Sequence, residues 1–152
     1  MKFNYNDYLI ASAYRIETAR RLHKQGRYSA AIYFAGISIE CLLRAFIIFK
    51  DPEFDQRHNL HELCKKAGLE DLITYKHRRE ANAWLGNIWA RWKNNYRYAS
   101  DERLRAEFKK LGHDRGIKGD FLKQNSSIVV DSAYELRTMG EKRWLLKKNS
   151  KH

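Results

Sequence analysis

A basic, aromatic segment at residues 93–123 carries the side chains best suited to binding an anion: KNNYRYASDERLRAEFKKLGHDRGIKGDFLK. Arg97 stands between Tyr96 and Tyr98, so a planar guanidinium that can form paired hydrogen bonds with a phosphate has a ring on each side. Such rings can stack on a nucleobase, and Asn94 and Asn95 can donate and accept hydrogen bonds at a base edge. The pattern therefore predicts a binding site for a nucleotide or RNA.

A glycine-punctuated loop follows and adds donors to the predicted site. Gly112, Gly116 and Gly119 favour a flexible turn in which backbone amides can join cationic side chains around an anion. No predicted strand precedes the loop, so it does not match a strand-borne phosphate-binding motif. The complete set of predicted ligand-binding residues is Arg91, Asn94, Asn95, Tyr96, Arg97, Tyr98, His113, Arg115 and Lys118.

A structural interpretation of the same segment is also open. Tyr96 and Tyr98 would then pack against the last helix, while Arg97 would pair with Asp101 or Glu102.

Net charge does not decide between these interpretations. The 152-residue chain has 30 Lys and Arg against 18 Asp and Glu, a formal charge of +12. Residues 76–123 alone hold 13 basic and six acidic side chains. A basic domain attracts polyanions, but a well-solvated helical surface can have the same composition.

The elements that must position these residues are predicted to be α-helices along nearly the whole chain. Apolar residues recur with a period close to 3.6, in segments bounded by capping residues and glycines. The pattern predicts a single domain over residues 1–152, an all-α, up-and-down bundle of about five to six helices with a frayed tail at 147–152. The predicted helices run from an Asn6 or Asp7 cap to Gly26, from a Ser29 cap to Lys50, over 60–67, from about 70–74 to 94, over 101–111, and onward from a start between 120 and 127.

Two of these helices have compositions that bear on the site. The second is apolar on most sides, which predicts a central position, and Ala35 and Gly36 would let a neighbouring backbone approach closely. Glu40 and Arg44 are spaced i, i+4 and are predicted to form a structural polar pair rather than a catalytic group. The fourth helix carries an aromatic and aliphatic stripe that is predicted to belong to the core: Trp84, Leu85, Ile88, Trp89 and Trp92.

Cysteine usage and targeting signals predict a cytoplasmic location. Cys41 and Cys64 are far apart in the sequence, which favours a reducing compartment over a disulfide framework. The N-terminus has no signal-peptide pattern, and the longest apolar run, residues 41–49, is too short to cross a bilayer, so no membrane partner is expected. His58 and His61 have no further ligand at metal-binding spacing, and neither a metal nor a cofactor is expected.

Three segments resemble a known family in the order in which they occur. GRYSAAIYFAGISIECLLRAFI, residues 26–47, resembles the second-helix signature of HEPN domains: a Gly-Arg-Tyr turn, an Ala/Gly-rich helix, and a Glu followed by Leu-Leu-Lys/Arg-Ala. RHNLHELCKKAGL, residues 57–69, is similar to the family's His-x-Leu-x-x-Leu segment. NNYRY, residues 94–98, looks like its Arg-Tyr element.

The resemblance implies a helical bundle that is frequently a homodimer. Some family members are metal-independent endoribonucleases of toxin and defence systems; others bind nucleotides or RNA, or pair with a small nucleotidyltransferase. The nucleases carry an Arg followed, after four to six residues, by a His at a helix start. None of the six histidines here has that spacing; in the basic segment, Arg105 and His113 have seven residues between them.

Three hypotheses follow from the sequence. The first is a non-catalytic HEPN-like protein that binds nucleotide or RNA through residues 91–118. The second is a divergent endoribonuclease of a toxin–antitoxin or defence system that uses His113 with Arg105 or Arg115. The third is an interaction module whose basic face binds a nucleotidyltransferase partner.

Overall fold

A computed structural model describes residues 1–54, 59–68, 73 and 75–150 of the chain. Two short 3₁₀ turns, Tyr75–His77 and Asn94–Tyr98, flank the fourth helix, and the part of the chain that is described contains no strand. The predicted all-helical bundle is therefore confirmed. The described residues form six α-helices: α1 (Tyr5–Lys24), α2 (Tyr28–Lys50), α3 (Leu60–Ala67), α4 (Arg78–Arg91), α5 (Asp101–Lys110) and α6 (Phe121–Ser150).

The second helix is the centre of the bundle, as its composition predicts. It packs against α1, α3, α6 and the Asn94–Tyr98 turn, and its aliphatic side chains, among them Ile32, Ile39 and Leu43, are fully buried. A tight turn connects α1 to α2. In this turn Gly26 has a φ of 75°, a left-handed conformation that glycine adopts without steric cost. The two helices therefore pack side by side as an antiparallel hairpin.

Gly36 permits a close approach, although the neighbour is a side chain and not the predicted backbone. The indole of Trp92 lies directly over Gly36, and a Cβ there would be 2.1 Å from Trp92 Nε1. The same nitrogen donates a hydrogen bond of 3.1 Å to the carbonyl of Tyr33. The chain that follows α4 is thus fixed against the middle of α2.

The predicted cap of α1 at Asn6 or Asp7 is wrong, because the helix begins earlier. The Asn4 side chain accepts hydrogen bonds from the backbone amides of Asn6 (2.9 Å) and Asp7 (3.1 Å). The Asp7 carboxylate accepts in return from the Asn4 amide at 2.8 Å, which completes a capping box.

Two further predicted boundaries are wrong. Ser29 does not cap α2; its backbone amide lies inside the helix and donates to Asp101 Oδ1 at 3.0 Å, which ties α2 to the start of α5. α4 ends at Arg91 rather than near residue 94, because Trp92 adopts an extended conformation (φ −128°, ψ 135°).

Other boundaries agree with prediction or fall outside the described residues. Asn59 caps α3 and Gly68 ends it, as expected, and α6 starts within the predicted window. α6 extends through Ser150 and so includes residues 147–150 of the tail that is predicted to fray. Most of the predicted start of the fourth helix, at 70–74, and residues 151–152 lie outside the described residues.

The tryptophan stripe of α4 is core for most but not all of its members. Leu85 and Ile88 are fully buried, Trp92 is 8% exposed, and Trp84 packs against the core while half-buried. Trp89 is 38% exposed, so its assignment to the core is wrong. It occupies the neighbouring helical position, beside the buried stripe, and its ring reaches the surface.

Candidate nucleotide-binding groove

An open groove of about 940 Å³ lies where α2, α3 and the end of α4 meet the Asn94–Tyr98 turn. Its walls combine rings, cationic groups and amides from segments that are distant in the sequence. The lining residues are Tyr33, Ile37, Glu40, Arg44, Asn59, Leu60, His61, Trp89, Trp92, Lys93, Asn94 and Arg97.

The aromatic wall of the groove is formed by α3 and α4. The Asn59 side chain accepts from the Glu62 amide at 2.9 Å, and this capping box fixes the first turn of α3, which carries His61. The His61 ring meets the ring of Trp89 edge to face, with centroids 5.1 Å apart. Part of the Trp89 surface stays exposed and is available for stacking on a planar ligand.

The predicted polar pair of α2 forms, and it lies in the groove wall. Arg44 Nε donates to Glu40 Oε1 at 3.2 Å, and the side chains are only 14% and 22% exposed, respectively. The carboxylate offsets part of the Arg44 charge and satisfies one donor of a guanidinium that has five. The pair therefore presents a largely desolvated charge to the groove without leaving a buried charge alone.

No carboxylate of the described residues pairs with Arg97, and among the arginines of the basic segment Arg97 is the one that lines the groove, whereas Arg105 is paired with Asp120. Its guanidinium lies over the ring of Tyr98, 4.7 Å from the centroid. Asp101, a predicted partner, instead accepts from the amide of Ser29. The alternative interpretation, in which Arg97 is neutralised by Asp101 or Glu102, is not observed.

The two tyrosines beside Arg97 have different environments. Tyr96 is 7% exposed and its ring contacts Phe108 of α5, with centroids 6.3 Å apart. Tyr98 is 78% exposed, so the alternative interpretation, in which it packs against the last helix, is not observed. Asn94 lines the groove with Arg97, whereas Asn95 lies on the other side of the turn.

Arg91, a predicted ligand-binding residue, does not line the groove. Its Nε donates to Asn125 Oδ1 of α6 at 2.7 Å, and its Nη1 donates to the Asn87 carbonyl at 3.2 Å. Burial lowers the pKa of Arg91. These contacts join α4 to α6, which gives Arg91 a packing role in the bundle.

His113 and Arg105, the candidate nuclease residues, both bind groups of the protein itself. The Nε2 of His113 lies 2.9 Å from the Ala90 carbonyl, and its ring meets Phe108 edge-on at 5.3 Å. Arg105 forms two hydrogen bonds to the Asp120 carboxylate, at 2.7 and 3.2 Å. That bond raises the pKa of Arg105 and lowers the pKa of Asp120.

The glycine loop is attached to α6 and not to the groove. Asn125 Nδ2 donates to the carbonyls of His113 (2.9 Å) and Phe121 (2.7 Å). Arg115 and Lys118 are exposed, and neither lines the groove. The structure thus brings Asn94 and Arg97 together with Lys93 in one groove and places the loop cations elsewhere.

Sequence reasoning missed Tyr33, His61 and Trp89 as groove residues. Their positions in the chain show no common motif, because they belong to α2, α3 and α4. The available signal was the place of Trp89 beside the buried stripe. No three His, Cys, Asp or Glu residues within the described part of the chain form a metal-binding cluster, and His58 lies outside it.

The fold and the groove define a small α-helical bundle protein with a basic, aromatic-walled surface groove. The family model described as HEPN domain matches residues 5–110, which is more than half of the chain. The chain therefore belongs to the HEPN domain family, as its resemblance predicts. No curated protein and no solved structure gave a significant match. The matched region contains the whole groove and ends before α6.

Two properties of α2 and α3 bear on location and reactivity. α2 is long and apolar enough to cross a membrane, but 61% of its most apolar window is buried inside the bundle, as in the core helix of a soluble protein. Cys41 and Cys64 are free thiols. Burial raises the pKa of Cys41 to about 11 and that of Cys64 to about 12, so both are poor nucleophiles at neutral pH.

Proposed function

We propose that the protein binds a nucleotide or RNA in this groove and does not cleave it. The observation that carries the proposal is the exposed guanidinium of Arg97, which has no carboxylate partner among the described residues and lines the groove with Asn94 and Trp89. An unneutralised arginine next to an exposed ring matches the chemistry of a phosphate linked to a base.

Each wall of the groove supports one part of such a ligand. Among the described residues that line the groove, three are cationic (Arg44, Lys93 and Arg97) and one, Glu40, is a carboxylate, so the groove favours an anion. In our proposal Arg97 binds phosphate oxygens, and Trp89 stacks on the base. Asn94 supplies a donor and an acceptor for the base edge.

Binding is favoured over cleavage because the two candidate nuclease residues already have partners. His113 and Arg105 contact the Ala90 carbonyl and the Asp120 carboxylate, respectively, and neither lines the groove. Incubation of the purified protein with RNA in EDTA tests this part of the proposal. Intact RNA is expected; cleavage that is lost in His113→Ala would support the divergent endoribonuclease instead.

The binding test compares two arginines that carry the same charge and differ in position. Arg97→Ala removes the groove guanidinium, whereas Arg115→Ala removes an exposed one outside the groove. Loss of a charged hydrogen bond should weaken binding of a labelled RNA in low salt about tenfold or more for Arg97→Ala. Arg115→Ala should change it by less than about twofold, apart from the general effect of charge.

Three outcomes of that measurement carry information. Weakening confined to Arg97→Ala, with affinity falling as salt rises, supports the groove. Equal weakening in both variants would show that net charge alone attracts RNA. No binding of RNA or of mononucleotides by the parent protein would reject the proposal. Because Arg97 is exposed, its replacement should leave the unfolding midpoint nearly unchanged.

The setting of the protein is part of the same proposal. We infer a cytoplasmic homodimer, on the basis of the free thiols, the family resemblance, and the exposed Ile10 (56%) and Tyr14 (67%) one helical turn apart on α1. Light scattering tests the dimer, and the mass of one subunit would refute it. Binding to a nucleotidyltransferase partner predicts co-purification that survives high salt, which RNA-mediated association would not.

A further inference from the structure

The Asn94–Tyr98 turn separates the groove from a second depression of about 290 Å³. In a 3₁₀ helix, residues i and i+3 lie on the same side. Asn94 and Arg97 accordingly line the groove, while Asn95 and Tyr98 line the second depression. Lys93, just before the turn, lines both.

The second depression contains a buried polar atom without a partner. Tyr96 is 7% exposed, lines this depression, and its hydroxyl has no hydrogen-bond partner among the described residues. A buried hydroxyl normally finds a partner, so this one has an unmet hydrogen bond, and a ligand must displace the protein atoms that cover it in order to reach it. Burial, and after it the nearby Glu107, raises the pKa of Tyr96, so the hydroxyl stays protonated and is able to donate a hydrogen bond.

The charges around the second depression suit a polyanion whose backbone passes over it. Lys93 and Arg103 are cationic and exposed, and Glu107 lies 3.5 Å from Lys93 Nζ. Only one of the two cations therefore has a carboxylate beside it. Arg103 has no ion pair with any described residue.

An exposed ring stands at the divide between the two depressions. Tyr98 is 78% exposed, and the guanidinium of Arg97 lies 4.7 Å from the centre of its ring. A ring backed by a cation and open to solvent is suited to stacking on a base while the cation meets the adjoining phosphate.

We propose that the ligand is a single-stranded nucleic acid of at least two nucleotides that crosses the Asn94–Tyr98 turn, with one nucleotide in each depression and Lys93 at the phosphate between them. This inference rests on the proposed function, since it places the first nucleotide in the groove. The second nucleotide stacks on Tyr98 and, by displacing the atoms that cover it, accepts a hydrogen bond from the Tyr96 hydroxyl. A free mononucleotide would occupy the groove alone.

The test is the dependence of affinity on strand length. Calorimetric titration in low salt would use 5′-phosphorylated oligoadenylates of one to four nucleotides. Abasic ribose-phosphate strands of the same lengths would serve as charge controls. Affinity is expected to rise about tenfold from one nucleotide to two, which is the effect of one added stacking contact. The rise in the abasic strands should be much smaller.

Variants separate the second depression from the groove. Tyr98→Ala should weaken dinucleotide binding about tenfold and leave mononucleotide binding unchanged, because stacking of the second base is lost. Tyr96→Phe, which keeps the buried ring, should weaken the dinucleotide alone by about fivefold. Phe3→Ala, which removes an exposed ring near the N-terminus outside both depressions, is the matched control and should change neither.

The outcomes distinguish this inference from the proposed function. Equal affinity for one and two nucleotides, with no effect of Tyr98→Ala, would overturn the strand proposal and leave mononucleotide binding in the groove intact. An increase with length that the abasic strands reproduce would also overturn it, since charge would then explain the gain. Absence of binding by every probe would reject both.

Discussion

Replacement of Gly36 by alanine should destabilise the bundle at the point where α2 positions the groove. Gly36 has no side chain, and the indole of Trp92 fills the space above it. An added Cβ would lie 2.1 Å from Nε1 and 2.2 Å from Cδ1 of Trp92. The indole must therefore move away. Trp92 directly precedes Lys93 and the Asn94–Tyr98 turn in the chain, so its movement would shift these groove residues.

The size of the effect follows from these distances. Ordinary contact begins at 3.4 Å, so the indole must shift by about 1.3 Å. Overpacking of this kind costs about 1–3 kcal/mol, and loss of the Nε1 bond to the Tyr33 carbonyl costs about 1 kcal/mol more. Alanine gains about 1 kcal/mol over glycine inside a helix. The free energy of unfolding should therefore fall by about 1–3 kcal/mol.

Gly86→Ala is the matched control for this prediction. Gly86 lies inside α4, and an added Cβ there meets no atom within 4 Å. Only the helix preference remains, so Gly86→Ala should raise the free energy of unfolding by about 0.5–1 kcal/mol. Urea unfolding of both variants measures the difference. If Gly36→Ala proved as stable as Gly86→Ala, the contact between Trp92 and α2 would be refuted, and with it the positioning of the groove.

Two further predictions concern ionisable groups outside the groove. Asp120 accepts from the amides of Leu122 and Lys123, both at 3.1 Å, so Asp120→Ala should cost about 1 kcal/mol of unfolding free energy through loss of a cap. Asp120→Asn should keep the cap and lose the charge facing Arg105 together with one of its two hydrogen bonds. Equal effects of the two variants in denaturant titration would contradict this. Burial lowers the pKa of His23, whose Nδ1 lies 2.9 Å from Ser126 Oγ. The unfolded chain therefore binds a proton more readily, so stability should fall as pH drops below about 6.5 toward the folded-state pKa. Unfolding measured between pH 7.5 and 5 should show a weaker dependence in His23→Gln, and an unchanged slope would show that His23 does not contribute.

The fold was predictable because local rules and packing agree along most of the chain. The apolar composition of α2 predicts its central position, and the Asn59 cap and Gly68 stop define α3. The i, i+4 spacing of Glu40 and Arg44 is enough to predict their ion pair, because one helix fixes both side chains. The predicted cap of α2 and the predicted end of α4 are wrong where a residue distant in sequence determines the local structure. Asp101 binds the Ser29 amide, and Gly36 accommodates the Trp92 indole.

The groove was only partly predictable, since it depends on tertiary contacts. Arg97 and Asn94 could be chosen from their composition and spacing, and they do line it. Arg105 looks equally available in the sequence, but Asp120, 15 residues later, binds its guanidinium. His61 and Trp89 meet only because the tertiary fold brings the start of α3 and the end of α4 together at the groove, a fact that no local pattern contains.

The position of α6 has a consequence for how the HEPN region of this chain can be studied in isolation. α6 begins beyond the matched residues 5–110, yet it packs along both α2 and α4. Val129, Ala133 and Leu136 of α6 are buried, so a fragment that ends at residue 110 would expose an apolar surface on α2 and α4. Such a fragment should aggregate in solution. A chimaeric protein built from this region needs another helix that covers the same apolar surface.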